Sequence, residues 1–394
     1  MFGFRLPAPT SVGRMTSRSR AAIAALALSL VGTAIAQAPA QALPGDASAL
    51  TMALYGDVPY GRTPTDTAQL DRYHLLVDKI NAADVSSVVH VGDLHSGKSY
   101  CTEAYDRRMQ AELSRFTTSV VYTPGDNEWT DCHKPGEGGN VFVDGQPVDY
   151  ANGNPVDYAN GNPVANLELI RSLFFANPGT TLGDGNLYVQ AQEGFPEDVQ
   201  WQRKGIQFVT LNIPGGSNND TDPWCGAATA SEEQRNEVAS RTAADLTWLD
   251  TAFARASADG AKGVVVLTQA DMWDLDGKDA SHLSGYEPFV KGLADHTNAY
   301  GGPVMLFNGD SHVYRSDNLF SATAPCETES GACTSVAATH PGYTVPNFHR
   351  VVVHGSTFPF EWLKLTIDPR GDGMFGPFSW SRQATGITAA TLAS

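Results

Sequence analysis

The sequence predicts an α/β fold in which two β-sheets lie face to face with helices outside them. Three observations carry that expectation. Apolar, strand-like runs stop at Gly-Asp four times, at Asp57, Asp93, Asp126 and Asp310, and a fifth such run stops at Gln269-Ala270-Asp271. From Leu50 onward, strand-like runs alternate with helix-like ones, the pattern of a partly parallel sheet with helices packed on it. Further β-like runs flank these units, at 187–213 and 348–382, and they call for a second sheet.

The first 42 residues read as an address. Arg14, Arg18 and Arg20 precede an apolar segment at 21–36, and small-residue patterns follow, ending with Ala40-Gln41-Ala42. This is the layout of a secretory signal peptide. The segment is too short and too Ala-rich for a membrane span, so no membrane is expected once the leader is removed. The expected destination is the periplasm or the outside of the cell. Residues 43–394 read as one domain, with no linker dividing them.

Each element follows from its residues. The run at 51–56 is a strand. Between 66 and 82, Leu70, Tyr73, His74, Val77 and Ile80 recur at helical spacing. A strand at 85–92, a helix at 102–116 and a strand at 119–123 come next. The octapeptide PVDYANGN then occurs twice in tandem, at 147–154 and 155–162. Two copies are too few for a solenoid, and lengthening a surface loop costs little. The stretch at about 134–163 is therefore expected to be a polar loop insertion without chemistry. A helix at 164–176 precedes three edge strands at 187–191, 200–204 and 206–213. A polar loop at 214–226 leads into a long helix at 230–258, with Leu246, Leu249 and Phe253 on one side. A strand at 264–268, a helix at 288–300 and a strand at 304–307 follow. Strands at 348–354, 363–367 and 378–382 close the chain.

Five cysteines suit an exported protein, in which they can oxidise. Cys101 lies past the Asp93 loop and Cys132 past the Asp126 loop. If those strands are neighbours, a Cys101–Cys132 disulfide braces the mouth of the site. Cys326 and Cys333 can clip a short excursion, which leaves Cys225 over.

Strands of α/β sheets bring ligands to their carboxyl ends. Gly-Asp is also an ordinary turn dipeptide. Three more copies, at 45–46, 183–184 and 371–372, follow no apolar run. Four copies that each end such a run point instead to carboxylates converging on one crevice, where a cation must offset their repulsion. The expectation is a metal-dependent hydrolase.

The ordered set resembles the calcineurin-like metallophosphoesterase family, with its blocks D-x-H, G-D-x-x-D, G-N-H-[ED], a strand-end His and G-H-x-H. Here they read Asp57-Val58-Pro59, Gly92-Asp93-Leu94-His95-Ser96, Gly125-Asp126-Asn127-Glu128, Thr268-Gln269 and Gly309-Asp310-Ser311-His312. The resemblance spans 54–315. It implies a two-sheet α/β/β/α sandwich and two divalent ions. By position, Asp93 bridges the ions, Asp57 and His312 hold the first, and Asp126, Gln269 and Asp310 hold the second. In a second register Asn127 is the ligand and Asp126 supports it. Such a metal pair clamps the attacking and leaving oxygens of a phosphoryl transfer. The implied substrate is a small phosphate mono- or diester.

Several letters depart from the family pattern. Pro59, Gln269 and Asp310 stand where it has ligand histidines. Asn127 stands where it has the His that helps the leaving group depart, and an amide donates no proton usefully. Oxygen-rich ligation favours Mn or Mg, with Fe, Zn and Ca as alternatives. His95 is the first substitute acid and His133 the second; either can equally be a plain loop histidine. Tyr60 and Arg62 are placed to engage phosphate oxygens. Glu128 orients a neighbouring ligand or caps a turn. Trp129 and Trp273 stack a ring or pack. His349 and His354 read as core or edge residues.

The formal charge of −17 becomes −21 once the leader's four arginines are removed. That argues against nucleic acid or an anionic membrane as partner, and it disfavours a nuclease. A small phosphate remains compatible, because bound cations set the local field. The missing imidazoles motivate one alternative, a non-catalytic binding or surface protein on a degenerate scaffold.

Overall fold

The computed structural model describes residues 48–388, except 65, 135, 137–141, 144–145, 148–157, 220–222 and 357–359. The expected leader and most of the polar insertion, including the first octapeptide copy beyond its Pro147, lie outside the described residues.

The first sheet grows from short strands with apolar centres. Strands β1 (Leu50–Tyr55), β2 (Ser87–His90) and β3 (Ser119–Tyr122) are parallel neighbours. Every residue of β2 and β3 is buried, as expected of parallel strands covered on both faces. Helix α1 (Ala68–Asn81) follows β1 and buries Leu70, Tyr73, Leu76, Val77 and Ile80. Helix α2 (Glu103–Leu113) follows β2, and its first turn is capped by Thr102, whose hydroxyl accepts the Tyr105 N–H at 3.2 Å. Helix α3 (Pro163–Phe174) begins where the second octapeptide copy ends. Asn162, the last residue of that copy, accepts the Ala165 N–H at 2.8 Å, and Pro163 supplies a preset first helical residue. The repeat thus ends in a helix cap, a role that its loop-like composition does not announce.

The second sheet begins with β4 (Gln190–Gln192), β5 (Phe195–Arg203) and β6 (Ile206–Thr210). The expected strand at 200–204 starts earlier and stops at Arg203, because Lys204-Gly205 forms a two-residue hairpin loop with φ of 51° and 75°. Helix α4 (Glu232–Ala258) leads to β7 (Gly263–Leu267), and helix α5 (Glu287–Tyr300) to β8 (Val304–Asn308). Three short strands, β9 (Arg315–Asp317), β10 (Glu327–Thr328) and β11 (Gly331–Ala332), precede β12 (Phe348–Val352). They are too short to show a period, so the sequence pattern misses them. The chain returns to the first sheet with β13 (Glu361–Ile367) and β14 (Phe378–Ala384).

Sheet orders are β14-β13-β1-β2-β3 and β11-β10-β9-β12-β8-β7-β6-β5-β4. Alternation along the strands builds three apolar layers. Leu54, Val89, Val265, Leu267, Met305 and Phe307 meet between the sheets. Val264, Val266, Val304 and Leu306 turn the other way, onto Leu249 and Phe253 of α4 and Phe289 and Leu293 of α5. Ala53, Val88 and Val120 face α1, α2 and α3. The order of layers is helix, sheet, sheet, helix: the α/β/β/α sandwich expected from the sequence. Among the described residues, no helix is long and apolar enough to cross a membrane. Cys101 is bonded to Cys132 and Cys326 to Cys333, while Cys225 stays a thiol.

Candidate metal centre

The chain bends sharply as it leaves each strand. Asp57, Asp93, Asp310 and His312 all have left-handed backbones, with φ of 53°, 61°, 73° and 60°. Asp and His tolerate this region better than most residues, yet each such site stores of order 1 kcal/mol of strain. The bends turn four side chains toward one point. Asp57, Asp93 and His312 each offer a ligand atom, and those atoms lie within 4.8 Å of one another.

Asp93 stands between the two halves of the site. It faces the carboxylate of Asp57 on one side and that of Asp126 on the other. The backbone N–H of Asp310 donates to Asp57 Oδ1 at 2.9 Å, which ties the second sheet to the first. His312 Nε2 is 3.5 Å from that same oxygen, and its Nδ1 pairs with the Ser356 hydroxyl at 3.1 Å. Asp126 takes the amide N–H of Gln269 at 2.9 Å, and Gln269 Oε1 accepts the Gly215 N–H at 2.7 Å. Asp310 Oδ2 accepts the Asp271 N–H at 2.9 Å. The strand ends thus cluster Asp57, Asp93 and His312, with Asp126, Gln269 and Asp310 in hydrogen-bond contact at their flank.

Burial dominates the electrostatics. Desolvation, aided by neighbouring carboxylates, holds Asp57, Asp93 and Asp310 well above the usual carboxylate range. Asp126 is pushed up to about 7, first by burial and then by Asp131. Burial lowers His312 to about 4. Four crowded carboxylates with raised affinities for protons are sites that a cation can neutralise instead. Asp57 Oδ2 fits that reading, because it is fully enclosed and has no hydrogen-bond partner. The residues therefore suit a divalent ion.

Tyr60 lines the cavity and also reaches the carboxylates beneath it. Its hydroxyl donates to Asp93 and pairs with His312 Nε2 at 3.1 Å. It also accepts from Asn127 Nδ2 at 3.0 Å. The Asn127 amide reaches Asp93 Oδ2 at 2.9 Å and the His95 carbonyl at 3.0 Å as well. Asn127 thus spends its N–H groups on Asp93, Tyr60 and the His95 carbonyl, and both Asn127 and Asp126 line the cavity. Glu128 fastens two loops: Gly125 N–H donates to it at 2.7 Å, the Tyr122 hydroxyl at 2.6 Å and Leu94 N–H at 3.3 Å.

Other expected site residues lie elsewhere. His95 is fully buried, packs edge-on against Tyr105 and does not line the cavity, because its loop turns the ring inward. His133 is buried, accepts the Cys225 N–H at 3.1 Å and also stays outside the lining. Arg62 is exposed, and its backbone N–H bonds Asp66 at 3.0 Å, in the turn that starts α1. Trp129 and Trp273 are buried packing residues, under Arg241 and against Phe320. His349 pairs with Ser316 at 2.9 Å within the second sheet. His354 lies buried just past β12, with Glu329 at 4.0 Å.

The cavity lined by Asp93, Asp126, Asp310 and His312 has a volume of about 260 Å³. The sequence pattern did not single out Lys134, Asp274, Asp276, Lys278, His282 or Tyr286 of its lining. Four of these, at 274–282, come from the loop between β7 and α5, where no periodicity marks function. Gly216, in the left-handed run 216–219, completes the lining.

No family model matches the sequence, and no curated protein matches it. Solved structures do resemble it in shape. A dimetal phosphatase from Danio rerio superposes with a TM-score of 0.42 at 12% identity, covering 86% of this chain and 99% of that one. A purple acid phosphatase from yellow lupin (Lupinus luteus) seeds gives 0.36 at 12% identity, over 89% of this chain and 56% of the other. GAP50, the anchor in the inner membrane complex of Plasmodium, gives 0.41 at 9% identity, over 86% and 85%. At such scores the likeness says nothing about what this chain does.

Proposed function

We propose that this chain is a divergent calcineurin-like metallophosphoesterase, exported from the cell, that hydrolyses small phosphate mono- or diesters with two divalent ions. One observation carries the reading. Asp57, Asp93 and His312 offer ligand atoms within 4.8 Å of one another, and Asp126, Gln269 and Asp310 lie beside them, the six leaving five strand ends of two sheets. Asp57, Asp93 and His312 would hold one ion; Asp93, Asp126, Gln269 and Asp310 would hold the other. Mn or Mg suits this oxygen-rich set. Such ions, when bound, polarise a phosphoryl oxygen.

The chain's own residues do the positioning. Asn127 and Tyr60 fix Asp93 in one orientation. Ser356 engages His312 Nδ1, which leaves Nε2 turned into the site. Gln269 holds Asp126 beside Gly215. The two disulfides support export.

The test is direct. The mature chain is stripped with chelator, given Mn, Mg, Ca or Zn separately, and assayed on a chromogenic phosphomonoester and a phosphodiester. Turnover restored by metal and lost in Asp93→Asn is expected. No restored turnover on either ester, with Asp93→Asn equally inert, overturns the proposal. A non-catalytic reading is favoured by one feature, the hydrogen-bond network of Tyr60, Asn127 and Asp93, which holds together through protein groups alone. Elemental analysis separates the two: one bound Ca without hydrolysis supports a binding protein, and two bound Mn or Fe support an enzyme.

A further inference from the structure

The cavity of about 260 Å³ lies below the roughly 300 Å³ lower end of ordinary small-molecule pockets. It has room for one phosphate and a short alcohol part. Two divalent ions would offset the charge of Asp57, Asp93, Asp126 and Asp310. Asp271 is already matched by the buried guanidinium of Arg350. At the mouth, Lys134 pairs with Asp131, and Lys278 lies 3.8 Å from Asp276. Those charges cancel in pairs.

Asp274 is the remainder. It lines the same cavity, is exposed, and makes no salt bridge among the described residues; its Oδ1 accepts only the Asp276 N–H, at 3.0 Å. The cavity mouth therefore carries one carboxylate without a matching cation among the described residues. The chain's overall charge of −17 adds to the same field. We propose, resting on the hydrolase reading, that the preferred substrates are phosphate monoesters of small amino alcohols, whose ammonium group faces Asp274. Esters with a second anionic group are disfavoured. In the reaction, a water oxygen bonds to phosphorus and the P–O bond to the alcohol breaks. The water's proton ends on the released alcohol oxygen, so inorganic phosphate and the amino alcohol leave, and no oxidant or reductant is needed.

The test compares kcat/KM of the Mn-loaded mature chain for phosphoethanolamine, glycerol phosphate and 3-phosphoglycerate, beside a chromogenic phosphomonoester. Phosphoethanolamine is expected to exceed 3-phosphoglycerate at least about tenfold at low salt, with a smaller margin at high salt. Asp274→Asn is expected to shrink that ratio about threefold or more, the effect of one charge several ångström away in a water-like medium. Calorimetry supplies a readout without turnover: 2-aminoethylphosphonate binds more tightly than phosphonoacetate, and Asp274→Asn narrows the gap. Equal or faster turnover of 3-phosphoglycerate, or a ratio unmoved by Asp274→Asn, overturns the inference while leaving the hydrolase reading intact. So does turnover of the chromogenic ester alone. If no ester is turned over, the hydrolase reading fails and this inference fails with it.

Discussion

Gly215→Ala tests the second half of the metal centre through a single methyl group. The backbone of Gly215 is not left-handed, so alanine meets no conformational penalty there. The obstacle is space. A Cβ at this position falls 2.8 Å from Asp126 Cγ, closer still to Asp126 Oδ2, and 3.1 Å from Asp310 Oδ1. Relieving that contact moves the Asp126 carboxylate by at least about half an ångström. Metal ligands tolerate about 0.2 Å, so the displacement is more than the second ion can absorb. The Gln269–Asp126 contact, now 2.9 Å, is disturbed as well. The expected result is a loss of roughly 10–100-fold in affinity at that ion, as for other disturbed ligand supports. The fold should lose only the roughly 1–3 kcal/mol of an overpacked site. Calorimetric titration of the stripped protein with Mn, with elemental analysis, should show stoichiometry falling from two toward one. Gly292→Ala is the control, because its Cβ meets only Leu246 and Leu249 at 3.5 Å on α5. Two ions bound as tightly in folded Gly215→Ala as in the parent would refute the reasoning.

Three further outcomes follow from other parts of the molecule. Burial pushes Asp245 up to about 7, beside an Asp198 that is raised as well. The folded state therefore keeps a proton between about pH 4 and 7 that the unfolded chain has lost, and stability falls as pH rises through that window. Asp245→Asn keeps a donor toward Asp198 and should gain about 2–4 kcal/mol relative to the parent between pH 4 and 8; urea unfolding at both pH values checks this, and a gap that does not widen rejects it. Removing the Cys101–Cys132 bond, which spans 31 residues, should cost roughly 3–4 kcal/mol by loop entropy, read as a lower melting temperature for the double alanine variant. Arg350→Leu strands Asp271 in the interior without its guanidinium and leaves Asp317 with Arg315 alone. A loss of about 3–5 kcal/mol in denaturant titration is expected, and a smaller one would mean that water reaches those carboxylates.

The legible parts of this molecule are those that repeat a physical pattern. Val88, Val89, Val120 and Val121 mark covered parallel strands because both their faces are apolar, and Leu70, Tyr73, Val77 and Ile80 mark α1 because burial recurs at its period. The positions that cluster at the site are legible because Asp57, Asp93, Asp126 and Asp310 each end such a run. What stayed hidden depends on three-dimensional arrangement alone. Nothing in the letters of His95 tells that its ring turns inward while its carbonyl serves Asn127. Nothing in Ser356, 44 residues beyond His312, signals that the two meet. Lys204-Gly205 looks like any loop until its two positive φ angles define a hairpin. The left-handed run at 216–219 is locally costly and exists only because α4 and the segment before α5 hold it; Arg241 grips Asn218, and the Tyr286 hydroxyl accepts the Ser217 N–H at 3.0 Å.

Asp57 and Asp310 touch across the seam between two sheets, although 253 positions separate them along the chain. A nascent chain that stops short of residue 310 holds Asp57, Asp93 and Asp126 but neither Asp310 nor His312, so the site stays incomplete. On the proposed reading, a complete ion site forms only when the sandwich shuts. The protein would then select its metal from whatever surroundings it matures in, rather than from those in which it is synthesised.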